Sequence, residues 1–294
     1  MGIHNQRRLT AAVLAALALP ASALAQQVTI DGKIDPAEWA GAEHVTDFRL
    51  TEPLTGAPSP YPTEAWILAT PEGLAIAFRN TQPASVPRTR SRTQRDGDAP
   101  VDRVNLMIDY DGDGRSGYNF TLNLTDGIQD ATITNERSFS KDWDASWQHA
   151  VSEDGDTWSA EMLIPWYVAP MKKPHDGKRT VGIYLDRVVG STGERMYGGT
   201  AEERARAIAL LESYAAERKA VSGLLPLMLL QMGDGAKALE IAREKVPGDD
   251  SDLLVYLFSP VGAKARTLPE FQAFVKQRRL EEAWAKYGPP DLAK

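Results

Sequence analysis

The spacing of hydrophobic residues changes near Gly198, and this change is the feature that most restricts the fold. Between Gln27 and Tyr197 apolar and polar residues alternate, as they do in strands that bury one face. Beyond Gly198 apolar residues recur every three or four positions, as they do along one side of a helix. The chain of 294 residues therefore predicts a β domain followed by a helical region.

The alternating runs of the first region come in pairs separated by turn-forming residues. The pairs are residues 66–69 with 74–78, 104–108 with 118–122, and 147–151 with 158–164, and residues 181–185 supply a further strand. Glycine, aspartate and proline occupy the positions between the strands, and no helical pattern interrupts them. Many short strands of this kind indicate an antiparallel β-sandwich.

Capping signals predict helices in the C-terminal third. They are Thr200 with Glu203, Asp234, and Thr267 with Glu270. A threonine three residues before a glutamate has the spacing of a capping box, and an aspartate can bond the free backbone N–H groups of a first turn. The sequence thus predicts an all-α region of helical hairpins over residues 199–294.

Residues 1–25 have the three parts of a secretory signal peptide. Two arginines precede an apolar centre at residues 9–19, and the small residues of 23–25 form a cleavage site. The apolar run is shorter than the roughly 20 residues of a membrane span. We predict a periplasmic or secreted protein, not inserted in the membrane, whose β-sandwich occupies residues 26–198.

The chain is acidic, with a formal net charge of −7, and it contains no cysteine. An acidic surface repels phosphate, which argues against nucleic acids and anionic lipids and favours neutral ligands or cations. The lack of cysteine excludes disulfides, cysteine nucleophiles and structural cysteine zinc sites.

Asp109, Asp111 and Asp113 precede Gly114 with the spacing of the first half of an EF-hand calcium loop. Phe120 stands where that loop needs a bidentate glutamate, so the second half is missing. Two interpretations stay open, a weak calcium site and an acidic turn between two strands.

Two tryptophans lie in a polar stretch before a strand, at Trp143 and Trp147. A flat ring beside charged groups suits a sugar, whose C–H face stacks on the ring while its hydroxyls take hydrogen bonds. Trp158 is in phase with Met162 and Ile164 and is predicted to belong to the core.

Carboxylate pairs could in principle serve as the acid and base of a glycosidase. Asp142 with Asp144 and Asp102 with Glu161 are the pairs considered. Acids are abundant in this chain, and the sequence does not give the distance between any two of them. A glycoside hydrolase is therefore the weakest functional interpretation.

Short motifs across the β region occur in the order of a known family. They are residues 30–35, Glu38-Trp39, Arg95-Asp96, Asp102, Asp109, Gly117-Tyr118, Phe120, Asn123, Gly127, Asp130, Trp143, Trp147, Trp158, Glu161 and residues 164–166. On these residues the region resembles the family 9 carbohydrate-binding-like domain of exported bacterial proteins.

The resemblance implies a β-sandwich that binds a glycan, in association with polysaccharide breakdown or uptake. Any hydrolysis would belong to partner proteins. The candidate binding residues are Trp143, Trp147, Arg95, Asp96 and Asn123. The chain is thus predicted to be an exported, non-catalytic carbohydrate-binding protein.

The helical region resembles the end of tetratricopeptide-type proteins. Residues 232–242 are similar to the second half of a repeat, and residues 269–291 to a closing cap. About three repeats are normally needed for a stable array, and this chain has room for about two. The alternative function is therefore a periplasmic adaptor that binds a protein partner through the helical region.

Overall fold

The computed structural model describes residues 28–53, 55–112, 115–134, 138–172, 179–199, 201–248, 251–259 and 262–287. The predicted signal peptide, Asp113 and Thr200 lie outside these ranges. The chain divides into two compact units, one that holds the strands and one that holds residues from Arg204 onwards together with Pro53–Ala57. No helix in the described ranges is long and apolar enough to cross a bilayer.

The strands form two antiparallel sheets. The first has the order β1-β3-β4-β10-β9, with β1 Glu43–Val45, β3 Thr63–Ala69, β4 Gly73–Thr81, β9 Gln148–Asp154 and β10 Thr157–Pro165. The second has the order β2-β12-β11-β5-β6-β7-β8, with β2 Asp47–Glu52, β5 Arg103–Asp109, β6 Ser116–Asn123, β7 Ile128–Thr134, β8 Ser138–Ser140, β11 Gly182–Val188 and β12 Arg195–Gly199. An isolated bridge joins Arg49 of β2 to Pro58.

The three predicted hairpins are confirmed as β3–β4, β5–β6 and β9–β10. In β5–β6 the inward residues stand directly opposite one another, as Val104 with Leu122 and Leu106 with Phe120. All four side chains are fully buried. Burial of one large aliphatic or aromatic side chain contributes about 1.5–3 kcal/mol, so the alternating pattern fixes which face of each strand points inward.

The core between the sheets confirms the phase predicted for β10. Trp158, Met162 and Ile164 are all fully buried and pack in the same cluster as Phe78 and Phe120. The fold is the antiparallel β-sandwich that the sequence predicts, followed by helices.

The segment before β1 covers the outer face of the five-stranded sheet. Trp39 is buried there with apolar residues of β3, β4 and β10. Glu161 of β10 accepts hydrogen bonds from the backbone N–H of Asp31 at 3.1 Å, from that of Gly32 at 2.8 Å and from Trp39 Nε1 at 3.1 Å. Burial raises the pKa of Glu161, although these three donors act in the opposite direction.

The second unit consists of short helices. They are α1 Ala201–Ala216, α2 Leu224–Gln231, α3 Gly235–Glu244, α4 Ser251–Leu257, α5 Ala263–Arg266, α6 Pro269–Gln277 and α7 Leu280–Tyr287. The predicted cap at Asp234 is confirmed, since its Oδ1 accepts the backbone N–H of Lys237 at 3.0 Å.

The predicted capping box at Thr267 is wrong. Helix α6 begins after Leu268, whose backbone is extended, and Pro269 takes the first helical position. Thr267 instead donates its hydroxyl to the Lys264 carbonyl at 2.7 Å. Proline fixes the backbone of the first turn and has no N–H, so Pro269 removes one of the free donors at this helix start.

Basic side chains close the ends of the helices. Lys245 Nζ donates to the carbonyl of Ala215, near the end of α1, at 2.6 Å. Arg278 donates to the carbonyls of Ala242 at 2.7 Å and Val246 at 2.6 Å. Ala215 and Ala242 lie in the last turns of their helices, where carbonyls lack an i+4 donor and a cation complements the helix dipole.

Candidate functional site

Asp130 is an acidic residue at an interior position of the sandwich. It stands directly opposite Phe120 in the β6–β7 ladder, so both side chains point towards the core. Its side chain is completely buried. Its Oδ2 atom accepts hydrogen bonds from Arg95 Nη2 at 2.6 Å, from the Ala145 backbone N–H at 3.0 Å and from Trp147 Nε1 at 3.1 Å.

The other oxygen of this carboxylate, Oδ1 of Asp130, has no hydrogen-bond partner within the described ranges. A buried acceptor without a donor loses the hydrogen bonds that water would give it in the unfolded chain, at a cost of about 1–3 kcal/mol or more. No donor from the described residues therefore reaches this atom.

Arg95 links two acids from different segments. Its Nε donates to Asp144 Oδ1 at 2.7 Å, while Nη2 also donates to the Ala145 carbonyl at 3.0 Å. Burial alone would lower the pKa of the guanidinium, but the hydrogen bonds and charges of Asp130 and Asp144 outweigh it and raise that pKa. Arg95 is therefore a fixed positive charge at the site.

Asp96 completes the group through both its backbone and its side chain. It has φ of 58°, in the left-handed region that residues other than glycine seldom adopt. Its Oδ1 accepts the backbone N–H of Asp130 at 3.0 Å, and its own N–H donates to the Ile128 carbonyl at 3.1 Å. We call Arg95, Asp96, Asp130, Asp144 and Trp147 the Asp130 cluster.

Lys141 adds a second cation beside the Asp130 cluster. Its Nζ donates to the Asp96 carbonyl at 2.9 Å and to Asp98 Oδ1 at 2.7 Å. The hydrogen bond and charge of Lys141 lower the pKa of Asp98. The loop before β5 and the segment before β9 are thus held together by charge pairs on both sides.

The two candidate tryptophans have different surroundings. Trp147 is only 8% exposed, and its ring packs against Phe120 at 5.7 Å between centroids. Trp143 is partly exposed and packs on Tyr118 at 4.9 Å and on Phe120 at 5.9 Å. Of the pair, Trp143 is the ring with surface open to a ligand.

The structure does not bring Asn123 into the Asp130 cluster. Asn123 is one position out of phase with Phe120 and Leu122, so it points to the other face of the sheet. Its Oδ1 accepts the backbone N–H of Gly127 at 2.8 Å, and its Nδ2 donates to Thr93 Oγ1 at 2.8 Å. Both ends of the Asn123 amide are therefore used in hydrogen bonds to neighbouring loop residues of the protein.

Asp109 and Asp111 lie in the β5–β6 turn. Asp109 Oδ1 accepts the backbone N–H groups of Asp111 at 3.0 Å and Gly112 at 2.9 Å. Asp111 Oδ1 accepts the Lys172 N–H at 2.9 Å, and its Oδ2 lies 3.3 Å from Lys172 Nζ. These bonds are those of an acidic turn, and calcium binding here stays a prediction.

Asp130 and Asp144 were not among the candidate binding residues from the sequence. The available signal was the phase of β7, in which Ile128, Asp130 and Thr132 occupy inward positions. An acid in such a position is seldom fully buried without partners. A search for acidic residues at the inward-facing positions of predicted strands would have found Asp130.

No protein-family model and no curated protein matches the chain. Among solved structures, the chain is similar to a family 9 carbohydrate binding module from Caldicellulosiruptor kristjanssonii in complex with glucose, at 13% identity and a TM-score of 0.42, over 58% of this chain and 81% of that one. The same comparison finds the module with cellotriose, at 14% identity and a TM-score of 0.41, over 58% and 79% of the two chains. A Bacteroides uniformis protein provisionally assigned as carbohydrate-binding is 15% identical with a TM-score of 0.45, over 57% and 82%.

Proposed function

We propose that the protein is an exported carbohydrate-binding protein whose ligand stacks on Trp143 and hydrogen-bonds to the pair formed by Arg95 and Asp144. The observation that carries the proposal is a partly exposed indole whose neighbour in sequence, Asp144, is hydrogen-bonded to Arg95. A sugar can stack its C–H face on such a ring, while its hydroxyls take hydrogen bonds from a guanidinium and give them to a carboxylate.

The groups of this surface are held in place before a ligand arrives. Trp143 packs on Tyr118 and Phe120, and Arg95 is fixed by acceptors on Asp130, Asp144 and Ala145. Side chains that are already ordered lose little entropy on binding. This favours recognition of a ligand by a fixed surface.

The proposed role is binding without hydrolysis. A glycosidase needs two carboxylates on either side of the scissile bond, about 5–10 Å apart. Asp102 and Glu161 are both completely buried, and each accepts backbone N–H groups, from Thr89 and Gly190 in one case and from Asp31 and Gly32 in the other. These contacts support structural roles for both acids.

The test is glycan-array screening of the mature protein, followed by calorimetry with the best ligand. Trp143→Ala is expected to lower affinity at least tenfold, because loss of an aromatic anchor costs about 2 kcal/mol or more. Trp66→Ala is the matched control, a tryptophan of similar exposure on the outer face of the other sheet.

Equal affinity of Trp143→Ala and the parent protein would overturn the assignment of this surface. A mature protein that binds no glycan on the array would overturn the function itself and favour the adaptor alternative.

A further inference from the structure

A run of arginines precedes β5, and we propose that it binds the carboxylate groups of an acidic polysaccharide. Arginine stands at positions 88, 90, 92 and 95, and no acid occurs between Glu72 and Asp96. We call residues 88–95 the arginine loop. Its ligand would be one class of the glycan proposed above, so the inference rests on that function.

Two threonines hold the arginine loop on the sandwich. The backbone N–H of Thr89 donates to Oδ2 of the buried Asp102 at 2.5 Å. Thr93 Oγ1 accepts Asn123 Nδ2 at 2.8 Å, and it lies so close to Gly127 that a Cβ there would be 2.5 Å away. A loop fixed in this way is ordered before a ligand arrives, which limits the entropy lost on binding.

The arginine loop carries more positive charge than its contacts neutralise. Arg88 and Arg90 share one carboxylate, that of Glu153, at 2.8 Å from Arg88 Nη1 and 2.9 Å from Arg90 Nε. Arg92 is exposed, and its side chain has no hydrogen bond or ion pair with any residue that the structure describes. In these contacts one carboxylate faces three guanidinium groups, so Arg92 and the 54% exposed side chain of Arg90 can bind an anionic ligand.

An acidic polysaccharide suits this loop better than a nucleic acid. The guanidinium group binds a carboxylate through two parallel N–H···O bonds. The formal net charge of the chain is −7, and Asp96 and Asp98 follow the loop directly, so a dense phosphate backbone would be repelled beyond the arginines. A polysaccharide separates its carboxylates by hydroxyl groups, which can donate hydrogen bonds to the neighbouring acids.

The arginine loop leads directly to the surface proposed for sugar binding. Arg92 precedes Arg95 by three residues, so their Cα atoms are at most about 11 Å apart. Arg95 in turn donates to Asp144, the neighbour of Trp143 in sequence. An oligosaccharide of several sugars that contacts Arg95 can therefore also reach Arg92.

Calorimetry of the mature protein with oligogalacturonate and with its methyl ester tests the inference. The two ligands have the same sugars, linkage and length, and only the first carries carboxylates. We expect the acid to bind at least tenfold more tightly than the ester at low salt, the effect of one hydrogen bond to a charged group. This preference should shrink as the salt concentration rises, because salt screens exposed charges.

Arg92→Gln is the diagnostic variant, because it removes an exposed cation that no described residue contacts. It is expected to abolish the tenfold preference for the acid and to leave both the affinity for the ester and the melting temperature unchanged. Lys219→Gln is the matched control, since it removes the same charge from an exposed position of the helical unit and should keep the preference. Trp143→Ala is expected to weaken binding of both ligands.

The outcomes separate this inference from the proposed function. Equal affinity for the acid and the ester, no binding of the acid, or an acid preference that survives Arg92→Gln would overturn the role of the arginine loop, even where a neutral glycan still binds through Trp143. Acid binding that needs Arg92 but not Trp143 would support the loop and overturn the sugar surface. Equal affinity for a single-stranded oligonucleotide of the same charge would show general binding of polyanions and overturn the choice of a polysaccharide.

Discussion

At the scale of single residues, Trp147 and Trp143 should respond differently to truncation. Trp147 fills the core beside Phe120 and donates to a buried carboxylate, so Trp147→Ala should cost about 3–5 kcal/mol of unfolding free energy. Trp158→Ala should cost a similar amount, and Trp143→Ala clearly less, because part of its ring already faces solvent. Urea denaturation of the three variants measures this order.

A Trp147→Ala protein as stable as the parent would contradict the placement of that ring in the core. A Trp143→Ala protein as unstable as Trp158→Ala would show that Trp143 is also a core residue and remove the basis for a sugar platform.

Alanine substitutions at Gly32 and Gly41 distinguish the cost of a left-handed backbone from the cost of a steric clash. Both have positive φ, 84° and 80°. A Cβ on Gly32 would lie 2.8 Å from the Val151 carbonyl carbon, whereas a Cβ on Gly41 would meet nothing within 4 Å. Gly41→Ala should cost about 1–2 kcal/mol from the left-handed backbone alone, and Gly32→Ala more.

Thermal unfolding of the two alanine variants checks this difference. Equal losses of unfolding free energy in the two variants would mean that the segment carrying Gly32 moves away from Val151 without cost.

The sequence predicted core residues better than site residues. Trp158 could be placed because its burial depends only on the phase of its own strand. The roles of Asp130 and Asn123 depend on which residues of distant segments reach them, Arg95 in one case and Thr93 in the other. The alternation of apolar and polar residues along a strand does not predict which distant residues contact it.

At the scale of elements, Glu153 fastens the loop before β5 to the edge strand β9. It accepts from Arg88 Nη1 at 2.8 Å and from Arg90 Nε at 2.9 Å. The Arg90 hydrogen bond, with that of Arg88, outweighs burial and lowers the pKa of Glu153 to about 2. A carboxylate with a lowered pKa stabilises the fold above its unfolded pKa of about 4.3, and that contribution disappears as the pH falls towards 2.

The unfolding free energy of the parent should therefore fall more steeply between pH 4.3 and 2 than that of Glu153→Gln. Arg90→Gln should also make the unfolding free energy fall less steeply over this pH range, because it removes the main cause of the lowered Glu153 pKa. If the unfolding free energies of the parent and both variants fell with the same slope between pH 4.3 and 2, this role of Glu153 would be contradicted.

Arg278 is expected to stabilise the end of α3. Arg278→Met removes its hydrogen bonds to carbonyls near that end and should destabilise the helical unit by about 1.5–3 kcal/mol, the range for hydrogen bonds to charged groups. Arg243→Met is the matched control, since Arg243 makes an exposed contact with Gln277. Circular dichroism at 222 nm during denaturation follows the helices, and equal effects of the two variants would contradict the capping role.

Hairpins could be predicted because their strands are neighbours in sequence and both carry the alternation. Strands β2 and β12 pair across most of the domain, with Gly198 opposite Phe48, and no local pattern links them. The wrong capping box at Thr267 has a similar cause, since two start signals overlap and Pro269 decides between them.

At the scale of the whole molecule, the strands form a unit separate from the helices. We predict that residues 27–203, which include the last strand, fold without the helical region. The fragment should unfold cooperatively, because the core cluster of the sandwich consists of residues between Val45 and Met196. A fragment with no cooperative transition would show that the two regions share one core.

The edges of the two sheets bear on how the protein behaves when it is concentrated. Strands β1 and β8, each at one edge, have three residues, and Pro58, which lacks an N–H, meets the outer side of β2. Short or proline-blocked borders give a neighbouring molecule few backbone groups on which to add a strand. Self-association through continued sheets is thereby limited at three of the four borders, and at the fourth, β9, Glu153 ties the loop before β5 to the strand.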